Sequence, residues 1–449
     1  MPSLDLLKSL TDLESSMNSP ARYACGSLDH ALSRRRFLSA ASGAIGAGSF
    51  LGSVAGLHQG VMGNPIAKND YRVVVFNMHG GLSQLESWDP KPSTRTGGPF
   101  RAIPTSVPGI HICELMPKTA KQMHHLCLLR GVNTSEDDHG KGAYMMLTGR
   151  RQTPSAEYPQ VGAVAAKMLH DDQTGLPGHI IVTPGGGGGR GNESAYLGPK
   201  FNSIHLGGDK PPQNSTKPEA IADVAEARRH ELRRRINEQY LNQRRSAITD
   251  AYTHSYEQAL KLMERREVFD VSKEPQVAQD MYGNSELARQ CLVARRLLEN
   301  GVSFVQVTHS NYDTHNDNFN FHIEQVGEFD LAFATFIEDL AQRGMLEKTL
   351  VVVLSEFGRT PNINLYYGRD HWSKAWSVVM AGAKIAKGAA FGQTNAEGTE
   401  VTDGQVDHGD IFHTILRGVG VDSSQSLMVD GRELPIADPA AEPIWKVLV

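Results

Sequence analysis

Residues Leu350–Trp372, LVVVLSEFGRTPNINLYYGRDHW, contain the clearest evidence for the fold of this chain. Their first five residues form an apolar run rich in valine, which predicts a central strand of a parallel sheet with helices on both faces. The run ends at Ser355 and Glu356. Because ligands of open α/β sheets bind beyond the carboxyl ends of the strands, Glu356 is predicted to lie at a functional site. The alternative interpretation is that Glu356 only pairs with Arg359 at the edge of the sheet.

Two other apolar runs also end in polar residues. The predicted strand Tyr71–Met78 leads into His79, and the predicted strand Phe304–Thr308 leads into the segment Asp313–Asp317, which has the pattern Asp-x-His-x-Asp with His315 at its centre. Alternate side chains of an extended loop lie on one side, so this pattern could bind a divalent metal ion. The same residue types are also common in turns and helix caps.

Helical patterns separate the predicted strands. The alternation of the two predicts an α/β fold with a doubly wound, mostly parallel sheet and helices on both faces. Residues 218–269 are charged, poor in glycine and strongly helical, which predicts a helical insertion in a single domain spanning residues 68–449. Further strands are predicted at Met123–Leu129, His179–Thr183 and Ser377–Ala381, and further helices at Val161–Leu169, Asn284–Glu299 and Asp410–Gly418.

A predicted helix between His139 and the closing Gly149 carries a second group of candidate residues. His139 lies at its N-terminus, where free backbone N–H groups and the helix dipole favour an anion. Lys141 adds a positive charge two residues later. The alternative is that His139 only caps the helix and bonds to Asp137 or Asp138.

The N-terminus has the pattern of an export signal. Ser33–Leu38, SRRRFL, precedes a weakly apolar segment rich in Ala, Gly and Ser. Paired arginines ahead of such a segment are typical of twin-arginine signals, which predicts that residues 1–57 direct export by the twin-arginine machinery to the periplasm or cell surface. No other apolar run approaches the length of a membrane span, so no stable span is expected after processing.

Composition excludes some functions. A net charge of −5 over 449 residues, without a basic stripe, gives no indication of nucleic-acid binding. The five-glycine run Gly185–Gly189 is interpreted as a flexible loop over the site. It lacks the Lys-Ser/Thr ending of a P-loop, so the run does not indicate nucleotide binding.

Several short motifs resemble those of sulfatases and alkaline phosphatases. His139–Gly149 is similar to the sulfatase signature C-x-P-S-R-x-x-x-L-T-G, and Leu350–Gly358 to the strand that ends in S-D-N/H-G. Phe304–Asp313 resembles the phosphatase strand before a metal-binding aspartate. Four motifs are more similar still to those of the exported, sulfatase-related family called domain of unknown function 1501. They are G-G-x-S-Q, D-T-H-x-D-N-F, E-F-G-R-T-P and G-R-D-H-W.

The chain departs from the sulfatase pattern at important positions. His139 occupies the position of the sulfatase cysteine or phosphatase serine, and His79 that of the first metal-binding aspartate. An imidazole can bind a metal or act as a nucleophile, but it cannot become the aldehyde hydrate that sulfatases use. Histidine ligands also favour zinc, iron or manganese over calcium.

Two hypotheses follow. In the first, the protein is an exported, metal-dependent hydrolase of a phosphate or sulfate ester, and its substrate is small and anionic. Arg359 then binds the anionic oxygens. His139 and Lys141 are the other candidate catalytic residues, and the candidate metal ligands are His79, Asp313, His315, Glu356 and His371. In the second, the chain is a non-catalytic metal- or anion-binding module descended from the same fold.

Overall fold

The structure is a computed structural model that describes residues 70–184, 192–208, 211, 215–216, 218–243, 247–429 and 431–449. The predicted export segment and the glycine run at 185–189 lie outside the described residues. Residues 68–449 form one unit.

A sheet of eight strands forms the centre of this unit, and the predicted α/β class is confirmed. Seven strands are parallel, and the strand Trp376–Ala381 lies antiparallel between Leu126–Val132 and Thr349–Leu354. In spatial order the strands are β12 (Ala389–Phe391), β4 (Leu126–Val132), β11 (Trp376–Ala381), β8 (Thr349–Leu354), β1 (Arg72–Met78), β7 (Phe304–His309), β5 (His179–Thr183) and β6 (Ile204–Gly207).

In the described part of the chain, four short antiparallel pairs lie outside this sheet, and the sequence patterns did not predict them. Two- to four-residue strands are too short to show an alternation of apolar and polar residues. The pairs are β2 (Ala102–Pro104) with β3 (His111–Cys113), β9 (Gly358–Arg359) with β10 (His371–Trp372), β13 (Gln393–Thr394) with β14 (Val401–Asp403), and β15 (Ser426–Val429) with β16 (Arg432–Pro435).

Helices cover both faces of the sheet, as predicted. The described helices are α1 (Pro117–Gln122), α2 (His139–Thr148), α3 (Val161–Leu169), α4 (Asp223–Gln243), α5 (Ala247–Glu264), α6 (Gln276–Tyr282), α7 (Glu286–Glu299), α8 (Asn318–Gln342) and α9 (His408–Gly418). Helices α1, α6, α7 and α8 contribute to one apolar core, and α2, α3 and α9 contribute to the other.

Strand β1 shows why a strand between two helical layers is apolar throughout. Val74 and Phe76 belong to one core, whereas Val73 and Val75 belong to the other. Successive side chains of a strand point to opposite faces, so both sets must be apolar when both faces are covered. Burying each such side chain stabilises the fold by about 1.5–3 kcal/mol.

Most predicted boundaries agree with the structure to within two residues, but the start of β4 does not. Met123–His125 forms a turn of 3₁₀ helix, and the strand begins only at Leu126. Helix α2 begins at His139 as predicted. Gly149 caps its C-terminus and has the left-handed conformation that suits glycine.

Helices α4 and α5 lie within the range 218–269, where the helical insertion was predicted. Among the described helices, none combines the length and the apolar character that crossing a membrane requires.

Candidate metal centre

Three adjacent parallel strands bring the candidate residues to one edge of the sheet. In the register of the sheet, Asn77 of β1 is opposite Leu354 of β8, and Met78 is opposite His309 of β7. The segments that follow these strands therefore leave the sheet side by side.

Helix α2 abuts the end of β8. A Cβ atom at Gly142 would lie 2.9 Å from the backbone oxygen of Glu356, so only glycine fits there without a shift. Asp138 caps the helix by accepting a hydrogen bond from the backbone N–H of Lys141 at 2.9 Å. This cap leaves the His139 side chain free to point towards the strand ends.

Glu356 orients His139. The Nδ1 atom of His139 lies 2.7 Å from Oε1 of Glu356, which also accepts a hydrogen bond from the backbone N–H of Gly80 at 2.8 Å. Because the carboxylate is an acceptor, His139 Nδ1 carries the proton and Nε2 carries the lone pair. The Glu356 side chain is buried, so this orientation is well defined.

His371 and His315 are oriented in the same way. His371 Nδ1 donates to the backbone oxygen of Asp137 at 2.7 Å, and His315 Nδ1 donates to Oδ1 of Asp370 at 2.7 Å. Both Nε2 atoms then carry lone pairs, and they lie only 3.0 Å apart. Two lone pairs repel at this distance unless a proton or a cation lies between them.

The three histidines surround Asp313. Its Oδ1 lies 3.1 Å from Nε2 of His315 and 3.2 Å from Nε2 of His371, and its Oδ2 lies 3.4 Å from Nε2 of His139. Burial raises the pKa of the Asp313 carboxyl, but the hydrogen bond from Arg359 and its charge outweigh this effect and lower the pKa to about 2. The carboxylate is therefore charged at neutral pH.

This donor set fits a divalent metal ion. His139, Asp313 and His371 can each offer one donor atom, and these atoms lie within 4.8 Å of one another. His139 Nε2 is shielded from solvent and has no hydrogen-bond partner among the described residues, as expected of an atom placed to ligate. Metal-binding histidines generally donate their other N–H to a carboxylate or a carbonyl, as His139, His315 and His371 do here.

Glu356 and Arg359 both contact other candidate residues. Glu356 contacts His139. Arg359 donates to Oδ1 of Asp313 at 2.6 Å and to the backbone oxygen of Gly81 at 3.0 Å, and it is fully buried. These contacts hold Asp313 in place.

The remaining candidates lie at the rim. His79 is exposed, and its ring is stacked 6.3 Å from that of His139. Lys141 is exposed in the first turn of α2. Asp317 is not among the clustered residues His139, Asp313 and His371. Its Oδ1 accepts a hydrogen bond from Asn320 at 2.7 Å.

Two residues that orient the histidines were not predicted. Asp370 precedes His371 in the sequence, and this adjacency was the only signal available for it. The backbone oxygen of Asp137 carries no sequence signal, because every residue has one.

The geometry thus describes an α/β protein with a His/Asp centre at the edge of its sheet. The sequence profile of the family described as "Protein of unknown function (DUF1501)" matches residues 70–448, and the chain belongs to this family. No curated protein matches the sequence significantly.

Among solved structures, the chain is similar to the lipoteichoic acid synthase LtaP from Listeria monocytogenes, with 8% identity, a TM-score of 0.38, and coverage of 83% of this chain and 76% of that one. It is similar to the PsFucS1 sulfatase from Pseudoalteromonas sp., with 15% identity, a TM-score of 0.36, and coverage of 78% and 68%. It is also similar to the alkaline phosphatase from the Antarctic bacterium TAB5, with 13% identity, a TM-score of 0.36, and coverage of 78% and 98%.

Proposed function

We propose that the protein is a metal-dependent hydrolase that acts on a phosphate or sulfate ester. The observation that carries this proposal is the convergence of Nε2 atoms from His139, His315 and His371 on the Asp313 carboxylate, with every Nδ1 held by an acceptor. The resemblance of the strand-end motifs to those of sulfatases and phosphatases supports the choice of ester.

A divalent ion held by these residues would supply Lewis-acid polarisation of an ester oxygen and a water of lowered pKa. Zinc, manganese and iron suit imidazole and carboxylate ligands better than calcium does. The site is open to a substrate, because the side chain of Asp313 is 47% exposed.

The protein groups divide into two sets. The first set, Glu356, Asp370 and Arg359, holds the proposed ligands His139, His315 and Asp313 in place by hydrogen bonds. His79 and Lys141 are exposed; the ring of His79 stacks 6.3 Å from that of His139, and Lys141 offers a positive charge in the first turn of α2. These two residues are therefore proposed to face the anionic group of the substrate. The first residue of α2 has no hydroxyl or thiol, so hydrolysis is proposed to proceed by direct attack of water.

The test measures metal binding first. Titration of zinc and manganese into metal-free protein should show saturable binding, which His139→Ala, His371→Ala and Asp313→Asn weaken by at least about tenfold. His111→Ala is the matched control, because His111 is an exposed histidine of β3, away from the centre. Equal binding by the wild type and all variants would refute the metal site.

The second measurement is hydrolysis of phosphate and sulfate monoesters by the metal-loaded protein. Turnover should disappear with a chelator and in the three ligand variants. Metal binding without hydrolysis of any ester would instead support the non-catalytic module, which the absence of a hydroxyl or thiol nucleophile at position 139 favours.

A further inference from the structure

A hairpin links the candidate metal centre to an exposed apolar tip. Strands β9 and β10 pair antiparallel, so that His371 is opposite Arg359, and residues 360–370 connect them. This hairpin supplies the proposed ligand His371 and the positioning residues Arg359 and Asp370. Its tip presents three consecutive residues to solvent, namely Leu365, Tyr366 and Tyr367, which are 95%, 74% and 71% exposed.

The base of the hairpin is fixed. Arg369 forms a bidentate ion pair with Glu86, through Nε at 3.0 Å and through a terminal nitrogen at 2.8 Å, and both side chains are fully buried. Across the base, the backbone N–H of Asp370 donates to Oγ1 of Thr360 at 2.9 Å. The stem therefore has one defined position relative to the sheet.

The tip is also held in place. Asn364 donates to the backbone oxygen of His315 at 2.8 Å and accepts hydrogen bonds from the backbone N–H groups of Tyr366 and Gly368, each at 2.9 Å. Tyr367 has a φ of 56°, a left-handed conformation that is costly for an aromatic residue. Ordering a strained tip with exposed apolar side chains destabilises the free protein, and such strain is typical of functional loops.

The charges around the tip restrict what could bind there. The backbone N–H of Asp317 donates to the oxygen of Tyr366 at 3.0 Å, and the side chains of Asp317 and Asp370 are exposed. A second anionic group on a ligand would meet these carboxylates. An uncharged group with a flat apolar face would instead gain contact with the tyrosine rings and with Leu365.

We propose that the tip of this hairpin, Leu365–Tyr367, binds the uncharged organic part of the ester substrate through the flat face of an aromatic or sugar ring. The inference rests on the proposed function, because the metal centre at the stem would hold the anionic group of the same molecule. The Asn364 side chain joins the two parts, since it also lies 3.3 Å from Oδ1 of Asp370.

The test compares binding of three groups of monoesters to zinc-loaded protein by calorimetry, each as a phosphate and as a sulfate. The probes are phenyl esters, glucose 6-esters and ethyl esters. Wild-type protein should bind at least one ring-bearing ester roughly three- to tenfold more tightly than the ethyl ester, the gain expected of one aromatic contact. The ring that gains affinity shows whether the site suits an aromatic group or a sugar.

The variant Leu365→Ser/Tyr366→Ser/Tyr367→Asn should abolish this preference while zinc affinity and ethyl ester binding stay unchanged. Asn is used at position 367 because it tolerates a positive φ. Val277→Ser is the matched control, since Val277 is an exposed apolar residue of α6 away from the hairpin. If the triple variant fails to fold, the single variant Leu365→Ser replaces it, because position 365 lacks this backbone constraint. This variant should reduce the preference for ring-bearing esters.

Equal binding of ring-bearing and ethyl esters by the wild type, or a preference that survives in the triple variant, would overturn this inference and leave the proposed function intact. If zinc-loaded wild-type protein binds none of the esters, both proposals are wrong.

Discussion

Each histidine of the candidate centre has one nitrogen committed to a protein acceptor. In a neutral imidazole one nitrogen donates and the other accepts, so the acceptor at Nδ1 decides that Nε2 faces the centre as a lone pair. Glu356, Asp370 and the backbone oxygen of Asp137 make this choice for His139, His315 and His371. The three acceptors thereby leave three Nε2 atoms directed at the centre, as the proposed metal binding requires.

Replacing the acceptor of His139 tests this role. Glu356→Gln keeps the size of the side chain but removes the charge that fixes the imidazole, so we expect metal affinity to fall by about 10- to 100-fold with little change in fold. Titration calorimetry measures the affinity, and circular dichroism monitors the fold. Glu338→Gln, at an exposed position of α8, should have no effect. An unchanged affinity in Glu356→Gln would contradict the role, and a loss as complete as that in Asp313→Asn would indicate direct ligation.

At the scale of elements, the position of α2 against the end of β8 decides whether His139 reaches Glu356. Gly142 permits this approach, because its missing side chain leaves room for the Glu356 backbone. Gly140 lies in the same helical turn, but its nearest neighbour is Oδ1 of Asp138 at 3.4 Å. The two glycines lie in the same turn of α2 and differ chiefly in the atoms that would pack against a side chain there.

Comparison of Gly142→Ala with Gly140→Ala isolates the effect of helix placement. Both changes favour the helix by up to about 1 kcal/mol. Only Gly142→Ala should push α2 away from β8, with a packing cost of about 1–3 kcal/mol and a loss of metal affinity. Urea denaturation and metal titration measure the two effects. Equal metal affinity in the two variants would show that the placement of α2 does not control the site.

For the whole molecule, buried neutral histidines make stability depend on pH. Burial lowers the pKa of His179 in β5 from 6.5 to about 4. Burial is also the largest cause of the lowered pKa values of His170, His322 and His408. The unfolded chain takes up these protons at a higher pH than the folded chain does. The contribution of these histidines to the free energy of unfolding is therefore fully present above pH 6.5 and is lost as the pH falls towards 4.

His179 alone should account for a decrease of about 3 kcal/mol in the free energy of unfolding between pH 6.5 and 4. Urea denaturation at several pH values in this range should therefore show a smaller pH dependence for His179→Gln than for the wild type, whatever its stability at pH 7. The exposed His111→Gln should keep the wild-type dependence. The same slope in His179→Gln and in the wild type would contradict this assignment.

Export is a second property of the whole chain. If the SRRRFL pattern is a twin-arginine signal, replacing Arg34 and Arg35 by lysine should abolish export and the accompanying decrease in size. Fractionation of cells that express the two forms measures both. Wild-type levels of export in the double variant would show that this interpretation is wrong.

The sequence by itself determined the α/β class, most strand and helix positions and the edge of the sheet where the polar residues gather. These features depend on local periodicity, because a strand covered on both faces must be apolar along its length and a helix repeats every 3.6 residues. The run before Glu356 and the helix that begins at His139 were visible for this reason. Membership of the family likewise followed from local motifs.

Only the tertiary structure decided how the side chains at this edge divide their roles. The contact between His139 and Glu356 joins residues 217 positions apart, and the one between His371 and Asp137 joins residues 234 positions apart. No local pattern specifies which ring nitrogen faces an acceptor, or that Arg359 is buried against Asp313. These assignments depend on distances of a few ångströms between segments that meet only after the sheet has formed.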